Sequence, residues 1–250
     1  MKRLGLRTFR GGVHPDDGKK LSASQSLSSM EAGELLFYSL SQHIGAPAKP
    51  LVGKGDCVLR GQKIAEAGGF VSAPVHASVS GTVREIRRMR MPAGNTADCI
   101  VVENDGEMKE TAFEPSDYSR LSGKEILRKI SEAGVTGMGG AGFPTHVKLS
   151  PKEPDKIDYI LINGAECEPY LTSDYRRMLE NPDMVVEGLK ILLRIFPGAK
   201  GVICVEDNKK DCAKALEQAA EGCPDIRIQL LKTKYPQGAE RMLIFAVTGR

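Results

Sequence analysis

The glycine loop, residues 137–145, carries the residue types best suited to binding chemistry in this chain. Its four glycines fall within six positions: Gly137, Gly139, Gly140 and Gly142. Because glycine has no side chain and tolerates positive φ, the backbone amides of such a loop can approach an anion closely. Phe143 adds a flat apolar face, and Lys148 adds a positive charge. The loop therefore predicts a nucleotide or flavin site.

Two common phosphate-binding motifs do not describe this loop. Gly137, Gly139 and Gly142 satisfy the spacing G-x-G-x-x-G, which requires a strand before it and a helix directly after it. Residues 123–134 predict a helix instead, and Pro144 follows the last glycine, so no helix is expected to open there. The sequence Gly-Lys-Ser/Thr is absent, which excludes a P-loop. A purely structural glycine turn stays open as the alternative.

A second polar cluster follows a predicted buried strand over residues 156–163. The strand ends at Asn163, and Glu166 and Glu168 come just after it. In open α/β sheets, ligands bind beyond the carboxyl ends of the strands. Two carboxylates at this position could hydrogen-bond ribose hydroxyls or the edge of a flavin ring. The alternative is a solvated acidic turn.

These two clusters, in this order, resemble a known family. Gly-Phe-Pro-Thr-His-Val-Lys148 and Asn-Gly-Ala-Glu-Cys-Glu-Pro-Tyr170 are similar to segments of the FMN- and NADH-binding subunit of respiratory complex I. They are more similar to the C subunit of the Rnf complex, an ion-translocating ferredoxin:NAD oxidoreductase. The N-terminal Thr8-Phe-Arg-Gly-Gly-Val-His-Pro15 carries the same resemblance, which covers nearly all of the chain.

The resemblance implies that this chain binds FMN and NAD(H) through residues of three segments. The implied residues are Gly137, Gly139, Gly140, Gly142, Phe143, Lys148, Asn163, Glu166, Glu168, Gly238 and Glu240. Gly137, Gly139 and Gly140 would line the flavin phosphate and ring. Lys148 would meet the phosphate or nearby polar groups, and Asn163 would contact the flavin. Phe143 would stack near the nicotinamide or the adenine, and Glu168 would bind NADH hydroxyls. The resemblance implies neither a catalytic side chain nor a metal ligand.

The third segment, residues 235–240, resembles a Tyr-x-x-Gly-Glu-Glu sequence of the complex I flavoprotein. It contributes Gly238 and Glu240 to the implied site. Two positions depart from the complex I pattern. Ala165 stands where that flavoprotein has an acidic residue, and Ala239 stands where it has the first glutamate. We expect the contacts with flavin and nicotinamide to differ at these two positions.

The cysteines bear on what the resemblance implies beyond the flavin. The chain has six cysteines and no C-x-x-C pair, so neither a zinc site nor a bacterial iron–sulfur motif is predicted. Rnf C subunits continue into a ferredoxin-like region with two [4Fe–4S] clusters, whereas this chain ends at Arg250. We therefore expect a fragment that takes electrons onto FMN but cannot complete turnover alone. Scattered thiols without a signal peptide indicate a reducing, cytosolic environment.

Composition narrows the class of partner. The net charge of +3 is too small to indicate nucleic-acid binding. No apolar run approaches the roughly 20 residues that span a bilayer. The resemblance implies a peripheral place on the cytoplasmic side of the bacterial cell membrane, held by the other subunits of an Rnf-type complex. Ferredoxin would be reached only indirectly.

The hydrophobic pattern predicts two domains that divide near residue 115. Residues 1–115 show short alternating strands broken by glycines, which is typical of a small all-β barrel or sandwich. The phrase Gly-Asp-x-Val-x-x-Gly-Gln-x-Ile-Ala-Glu is similar to a lipoyl or biotinyl barrel-sandwich domain. Carriers of that kind present a lysine on a hairpin tip, but the matching residues 67–73 contain none. The barrel is therefore expected to be a docking or spacer module.

Residues 116–250 predict an α/β, Rossmann-like domain with a mostly parallel sheet. The predicted elements are a helix over 123–133, a strand over 156–163, a helix over 183–196, a strand over 201–205, a helix over 209–221, a strand over 226–231 and a helix over 237–248. Asn181 is expected to cap the second of these helices, with Pro182 in its first turn.

Two other functions fit the same motifs. A cobalamin reductase of the bacterial-microcompartment type shares the glycine loop and the Glu-Cys-Glu segment, and it passes electrons to a corrinoid. A non-catalytic scaffold, in which the barrel docks partners, would rest on Ala165 and Ala239. The N-terminal Gly-Gly-Val-His-Pro15 favours the Rnf-like alternative.

Overall fold

The computed structural model describes residues 5–92, 94–138, 140 and 142–250. The chain forms two compact units. The barrel unit is Met30–Lys152, and the α/β unit combines the segment up to Ser29 with Glu153–Arg250. In the described part of the chain, no helix has the length and apolar character needed to span a bilayer.

The described residues of the barrel unit form seven strands in two antiparallel sheets. The strands are β1 (Leu35–Ser39), β2 (Lys49–Pro50), β3 (Cys57–Val58), β4 (Lys63–Glu66), β5 (Val75–His76), β6 (Gly81–Arg90) and β7 (Thr96–Asn104). One sheet has the order β1-β7-β6-β3, and the other has the order β2-β4-β5. β1 is not among the predicted strands. The predicted small β-barrel or sandwich is confirmed.

The two sheets of the barrel unit share one apolar core. Ile64 of β4 and Ile100 of β7 are fully buried in it, together with Val58 and Val83. Burying a side chain of this size contributes about 1.5–3 kcal/mol. Along β6 burial alternates at first, as expected for a sheet with one covered face, and the basic stretch at its end is mostly exposed.

The glycine loop and the helix before it belong to the barrel unit. α1 (Gly123–Glu132) begins with a capping box between Ser122 and Glu125, and α2 (Thr145–Lys148) follows the loop. Glu132 forms an ion pair with Lys63 of the barrel. The bounds of the two compact units are not those of the two domains predicted from the sequence. Residues 116–152 belong to the barrel unit, and the first 29 residues belong to the α/β unit. A domain boundary near residue 115 stays a prediction.

The α/β unit contains a three-stranded parallel sheet in the order β10-β9-β8. Its elements are β8 (Tyr159–Gly164), α3 (Ser173–Glu180), α4 (Pro182–Ile195), β9 (Lys200–Glu206), α5 (Lys210–Ala219), β10 (Ile226–Leu231) and α6 (Glu240–Thr248). The predicted β–α order is confirmed, and the bounds of β10 are those predicted from the sequence.

Helices cover both faces of this sheet. Ile203 and Val205 of β9 pack in a cluster with the inner faces of α3, α4 and α5. Val202 and Cys204, on the other face of the same strand, pack in a cluster with α6. Successive side chains of a strand point to opposite faces of the sheet. The continuous apolar run of β9 therefore suits a strand that is buried on both faces.

Three details of the α/β unit differ from the sequence-based expectations. The side chain of Asn181 caps no helix; its oxygen accepts from Arg177, and its amide donates to the carbonyl of Glu180. α3 was not expected, because its sequence is mostly polar and it buries Met178 alone. α6 begins at Glu240 rather than near residue 237, because residues 234–239 form turns before it.

Candidate functional site

Two of the predicted segments meet at the carboxyl end of β8. Asn163 lies next to the end of this strand, and its side-chain amide donates to the carbonyl oxygen of Gly238 at 2.8 Å. The side-chain oxygen of Asn163 accepts from the backbone amide of Ala165 at 3.2 Å. One side chain therefore links the loop after β8 to the loop before α6.

Gly238 is close-packed against the loop after β8. A Cβ atom at this position would lie 2.4 Å from the carbonyl oxygen of Ala165 and 3.3 Å from the sulfur of Cys167. No larger residue fits without moving the backbone. Of the predicted residues, Asn163 and Gly238 are in direct contact, and Glu240 lies two residues further on as the first residue of α6.

The two glutamates after β8 have different surroundings. Glu166 is buried, and its Oε1 accepts from the backbone amide of Asp174 at 2.9 Å. A carboxylate at this position satisfies an unpaired amide in the first turn of α3 and meets the positive end of the helix. Glu168 is exposed; its carbonyl oxygen accepts from Lys19 at 2.9 Å, and its carboxylate accepts a weak hydrogen bond from the thiol of Cys167 at 3.8 Å. Glu166 thus anchors α3, whereas the Glu168 carboxylate faces solvent.

A buried charge cluster, Lys19, Glu166, Glu206 and Lys209, was missed in the sequence. Glu206 ends β9 and pairs with Lys209 at 2.9 Å, and both side chains are almost completely buried. Lys19 donates to the carbonyls of Glu168 and Leu171. Burial lowers the pKa of Lys19, the nearby charge of Lys209 lowers it further, and Glu166 and Glu206 act in the opposite direction.

Several buried polar atoms of this region lack partners among the described residues. They are Oε2 of Glu166, Oε1 of Glu206 and both amide atoms of Gln237. Buried polar groups are nearly always hydrogen-bonded, so unpaired ones indicate a polar ligand or ordered water. Gln237 directly precedes Gly238. The carboxyl end of this sheet therefore has the unsatisfied donors and acceptors that a polar cofactor requires.

The glycine loop of the barrel unit is closed by its own backbone. The amide of Gly137 donates to Phe143 at 3.0 Å, and the amide of Gly142 donates to Gly137 at 3.1 Å. Gly142 has φ of +67° and lies so close to the chain that a Cβ would be 2.9 Å from the carbonyl oxygen of Gln42. Glycine at 142 is thus required by packing and conformation. The amides of Gly137 and Gly142 are engaged within the loop.

Gly140 and Phe143 leave part of the loop surface accessible. A Cβ on Gly140 would meet nothing within 4 Å. Phe143 is 38% exposed, and Lys148 is an exposed residue at the end of α2. Gly139 lies outside the described residues. The open backbone at Gly140 fits close approach by a bulky anionic group.

A cavity of about 330 Å³ lies at the base of the glycine loop. Gly134 and Thr136 line it from the loop side. His43 and His76 line it from the barrel. Burial lowers the pKa of His76, and the charge of Lys63 lowers it further.

The cysteines form no cluster. Within the residues that the structure describes, no group of three or more His, Cys, Asp or Glu side chains could hold a metal ion. Burial raises the pKa of Cys204 and of Cys212 to about 12. Cys167 lies beside Gly238 and is partly buried, and burial raises its pKa as well. These thiols suit packing rather than nucleophilic chemistry.

Two family models match this chain. The barrel sandwich hybrid domain of RnfC matches residues 7–107. The FMN-binding domain of Nuo51 matches residues 130–250. The second match contains the glycine loop, the loop after β8 and the loop before α6.

Curated relatives match nearly the whole chain. The C subunit of the proton-translocating ferredoxin:NAD(+) oxidoreductase complex of Clostridium ljungdahlii is 47% identical over 98% of this chain and 54% of its own length. The C subunit of the Na(+)-translocating complex of Acetobacterium woodii is 42% identical over 97% of this chain and 55% of its own length. The chain is similar to these C subunits along nearly its whole length. It spans about half the length of these two relatives.

More distant members of the C-subunit family include the C subunit of the ion-translocating oxidoreductase complex of Haemophilus influenzae. It is 39% identical over 98% of this chain and 38% of its own length. A solved NAD+-reducing [NiFe]-hydrogenase in the air-oxidized state is 25% identical, with a TM-score of 0.45 over 52% of this chain and 24% of that chain.

Sequence reasoning missed several buried polar residues of this candidate site. Glu206 had a usable signal, because it directly follows the apolar run of β9 and so lies at the same edge of the sheet as Asn163. Lys19 had none, since it lies 149 residues from Glu168 along the chain. Gln237 lies in the segment 235–240, from which the sequence analysis predicts only Gly238 and Glu240 as site residues.

Proposed function

We propose that this chain is the FMN- and NADH-binding part of an electron-transfer subunit. The whole protein would be an oxidoreductase subunit of a membrane-associated, ion-translocating ferredoxin:NAD oxidoreductase complex. It would pass electrons between NAD(H) and iron–sulfur clusters through the flavin. The proposal rests on the C-subunit family and on the FMN-binding family model over residues 130–250.

The single observation that carries the proposal is the hydrogen bond between Asn163 and Gly238. These residues stand in two segments that the resemblance to flavoprotein subunits singles out, 75 positions apart in sequence. Their contact lies beyond the carboxyl end of a parallel strand, where α/β sheets bind ligands. The unpartnered polar atoms of Glu166, Glu206 and Gln237 support a polar ligand at this edge.

FMN, when bound, supplies the chemistry, since it accepts hydride from NADH and can release electrons singly. The protein residues would bind and orient. The open backbone at Gly140 and the charge of Lys148 would hold phosphate groups, and Phe143 would offer an apolar face. In the α/β unit, the exposed carboxylates of Glu168 and Glu240 would bind nucleotide hydroxyls.

Gly137, Gly139, Gly142, Asn163, Glu166 and Gly238 complete the proposed set of cofactor-binding residues. For Gly142 and Gly238, close packing already accounts for glycine, so their part would be to shape the loops. Glu166 anchors α3 through Oε1, which leaves Oε2 for a ligand or water. We also propose that the α/β unit is Rossmann-like, because its three strands are parallel and helices cover both faces.

Partners and location follow from the same proposal. The other members of the complex would hold this protein on the cytoplasmic side of the bacterial membrane. The two [4Fe–4S] clusters expected of the family would lie in the parts of the relatives that this chain does not span, and ferredoxin would be reached indirectly.

A comparison of FMN with riboflavin tests the binding claim. Fluorescence titration of the chain with each flavin is expected to give tighter binding of FMN, because only FMN carries the phosphate. Lys148→Met should reduce the preference for FMN, and Lys152→Met, an exposed lysine four residues on, serves as the matched control. Equal affinities for FMN and riboflavin in the unaltered chain would contradict a phosphate site, and binding of neither flavin would support the scaffold alternative.

A further inference from the structure

The tip of the β4–β5 hairpin, residues 67–74, presents an aromatic ring to solvent. β4 and β5 pair in antiparallel fashion, so this tip is where a lipoyl-type carrier would present its lysine. Here Phe70 occupies the tip, and it is 68% exposed. An aromatic ring exposed in this way offers a flat apolar face on which a ligand ring can stack.

The backbone of this tip is firmly held. Gly68 donates to the hydroxyl of Ser72 at 2.8 Å, and that hydroxyl donates to the carbonyl of Ala46 at 2.8 Å. Ala46 in turn donates to the carbonyl of Val71 at 2.9 Å. Ser72 is fully buried. The Phe70 ring is therefore exposed on a fixed backbone.

Two connections join the hairpin tip to the C-terminal part of the glycine loop. After the loop, Nε2 of the buried His146 donates to the carbonyl of Phe70 at 3.0 Å, and the two rings meet edge to face at 5.9 Å. Within the loop, the carbonyl of Gly142 accepts from the backbone amide of Ile44 at 3.2 Å. The neighbouring His43 reaches the hairpin tip, where its Nε2 lies 3.0 Å from the carbonyl of Ala73.

These contacts tie the exposed ring to the loop with the open backbone. Residues 42–46 contact Gly142 on one side and the hairpin tip on the other, and His146 begins the second connection directly after the loop. All of these residues belong to the barrel unit. A ligand whose phosphate binds the loop could therefore stack its planar ring on Phe70, because hydrogen bonds hold the backbone of the hairpin tip in place.

We propose that Phe70 stacks on the planar ring of the nucleotide that the glycine loop binds. The hairpin tip would then be a binding element of the nucleotide site, with an aromatic ring where carriers have a lysine. The occupant is a flavin mononucleotide, which carries both a planar ring and a phosphate. This inference rests on the proposed nucleotide site of the glycine loop and adds a residue from the barrel to it.

The test compares FMN affinity of Phe70→Ala, Phe70→Tyr and Phe113→Ala by fluorescence titration. Removing the Phe70 ring should weaken binding about 3-fold to 10-fold, the range expected for one aromatic stack. Tyrosine, which keeps the ring, should restore affinity. Phe113 is 86% exposed in the same unit, and its removal should leave FMN affinity unchanged. Because both phenylalanines are exposed, melting temperatures should stay close to that of the unaltered chain.

The outcomes separate the two proposals. If the unaltered chain binds FMN and Phe70→Ala binds it equally well, stacking by Phe70 is wrong while the nucleotide site stands. If the unaltered chain binds no nucleotide, the nucleotide site fails and the stacking proposal fails with it. Equal weakening by Phe70→Ala and Phe113→Ala would also overturn the specific role of Phe70.

Discussion

The side-chain amide of Asn163 and the carbonyl oxygen of Gly238 are joined by a 2.8 Å hydrogen bond. This bond fixes the loop before α6 against the loop that leaves β8. Close packing of Gly238 on Ala165 strengthens the same junction. The proposed nicotinamide and flavin contacts of the α/β unit therefore depend on the close packing of Gly238 and Ala165 and on the hydrogen bond from Asn163.

Replacing Gly238 with alanine should displace this junction. The new Cβ would lie 2.4 Å from the Ala165 carbonyl oxygen, so we expect a loss of about 1–3 kcal/mol in the free energy of unfolding. Gly198→Ala is the matched control, because a Cβ there would meet nothing within 4 Å. It should change stability by less than about 0.5 kcal/mol. Urea unfolding measures both, and equal effects would contradict the packing at Gly238.

Gly140→Val should separate ligand binding from folding. Its Cβ would project into open space, so the melting temperature should change little. FMN affinity should fall, because a branched side chain would occupy the space through which the phosphate approaches. Gly142→Ala should lower the melting temperature, since φ there is +67° and the backbone of Gln42 is in the way. Unchanged FMN affinity in Gly140→Val would argue against this part of the loop as the phosphate site.

The buried ion pair of Glu206 and Lys209 should be costly to break. Lys209→Met leaves a buried carboxylate without its cation, which typically costs about 3–5 kcal/mol. Lys200→Met, at the other end of β9, breaks an exposed pair with Asp225 and should cost about 0–1 kcal/mol. Chemical denaturation compares the two variants. Similar small losses would show that Glu206 is not dependent on Lys209.

Native thiol reactivity should divide the six cysteines into two classes. Cys99, Cys204 and Cys212 are buried, and their raised pKa values keep them protonated at neutral pH. Titration of the folded chain with a chromogenic disulfide should therefore modify at most three thiols. Cys57 is exposed and should react first, so Cys57→Ser should remove the fastest phase. Reaction of all six thiols before unfolding would contradict the packing of β9 and α5.

Tyr175 should be among the last tyrosines to ionise. Its hydroxyl donates to Asp211 at 2.5 Å, and this hydrogen bond together with burial raises its pKa from 10.0 to about 12. Below about pH 10 both folded and unfolded chains keep the proton, and the full stabilisation is present. Between about pH 10 and 12 the unfolded chain loses the proton first, so the free energy of unfolding falls as pH rises.

Spectrophotometric titration of tyrosinate measures this pKa. Tyr175→Phe should remove the last-ionising component and flatten the loss of stability between about pH 10 and 12. Tyr170→Phe, an exposed tyrosine of the same unit, should leave that component in place. A titration in which Tyr175→Phe changes only the earliest component would show that its hydroxyl is not held by Asp211.

The sequence predicted the β–α order of the α/β unit because each strand is a short apolar run and each helix has a clear apolar period. Ile226–Leu231 is one example of a strand, and the helix predicted over 183–196 is an example of a helix. The sequence does not predict α3, because its residues are mostly polar and show no apolar period. Tertiary contacts stabilise this helix, chiefly the burial of Met178 and the hydrogen bond that Glu166 accepts from its first turn.

The sequence predicts residues of the candidate site only where they lie in recognisable segments, and the assignment of the site stays a prediction. Asn163 and Gly238 were named from such segments, and the structure joins them. Lys19 was not, because its contacts with Glu168 and Leu171 span about 150 residues of sequence. Lys209 was not, because the sequence does not show that its i,i+3 pair with Glu206 is buried. The sequence also could not reveal that helix α1 and the glycine loop pack with the barrel, since that depends on contacts such as Lys63 with Glu132.

Anaerobic addition of NADH to the FMN-loaded chain tests the central claim most directly. If the chain binds FMN and NADH together, NADH should bleach the flavin absorbance at about 450 nm, because hydride passes to the bound flavin. Asn163→Ala should slow this bleaching, whereas Asn95→Ala, an exposed asparagine of the β6–β7 turn, should not. A chain that retains no FMN at millimolar concentration, or whose bound FMN stays oxidised with excess NADH, would contradict the proposed function.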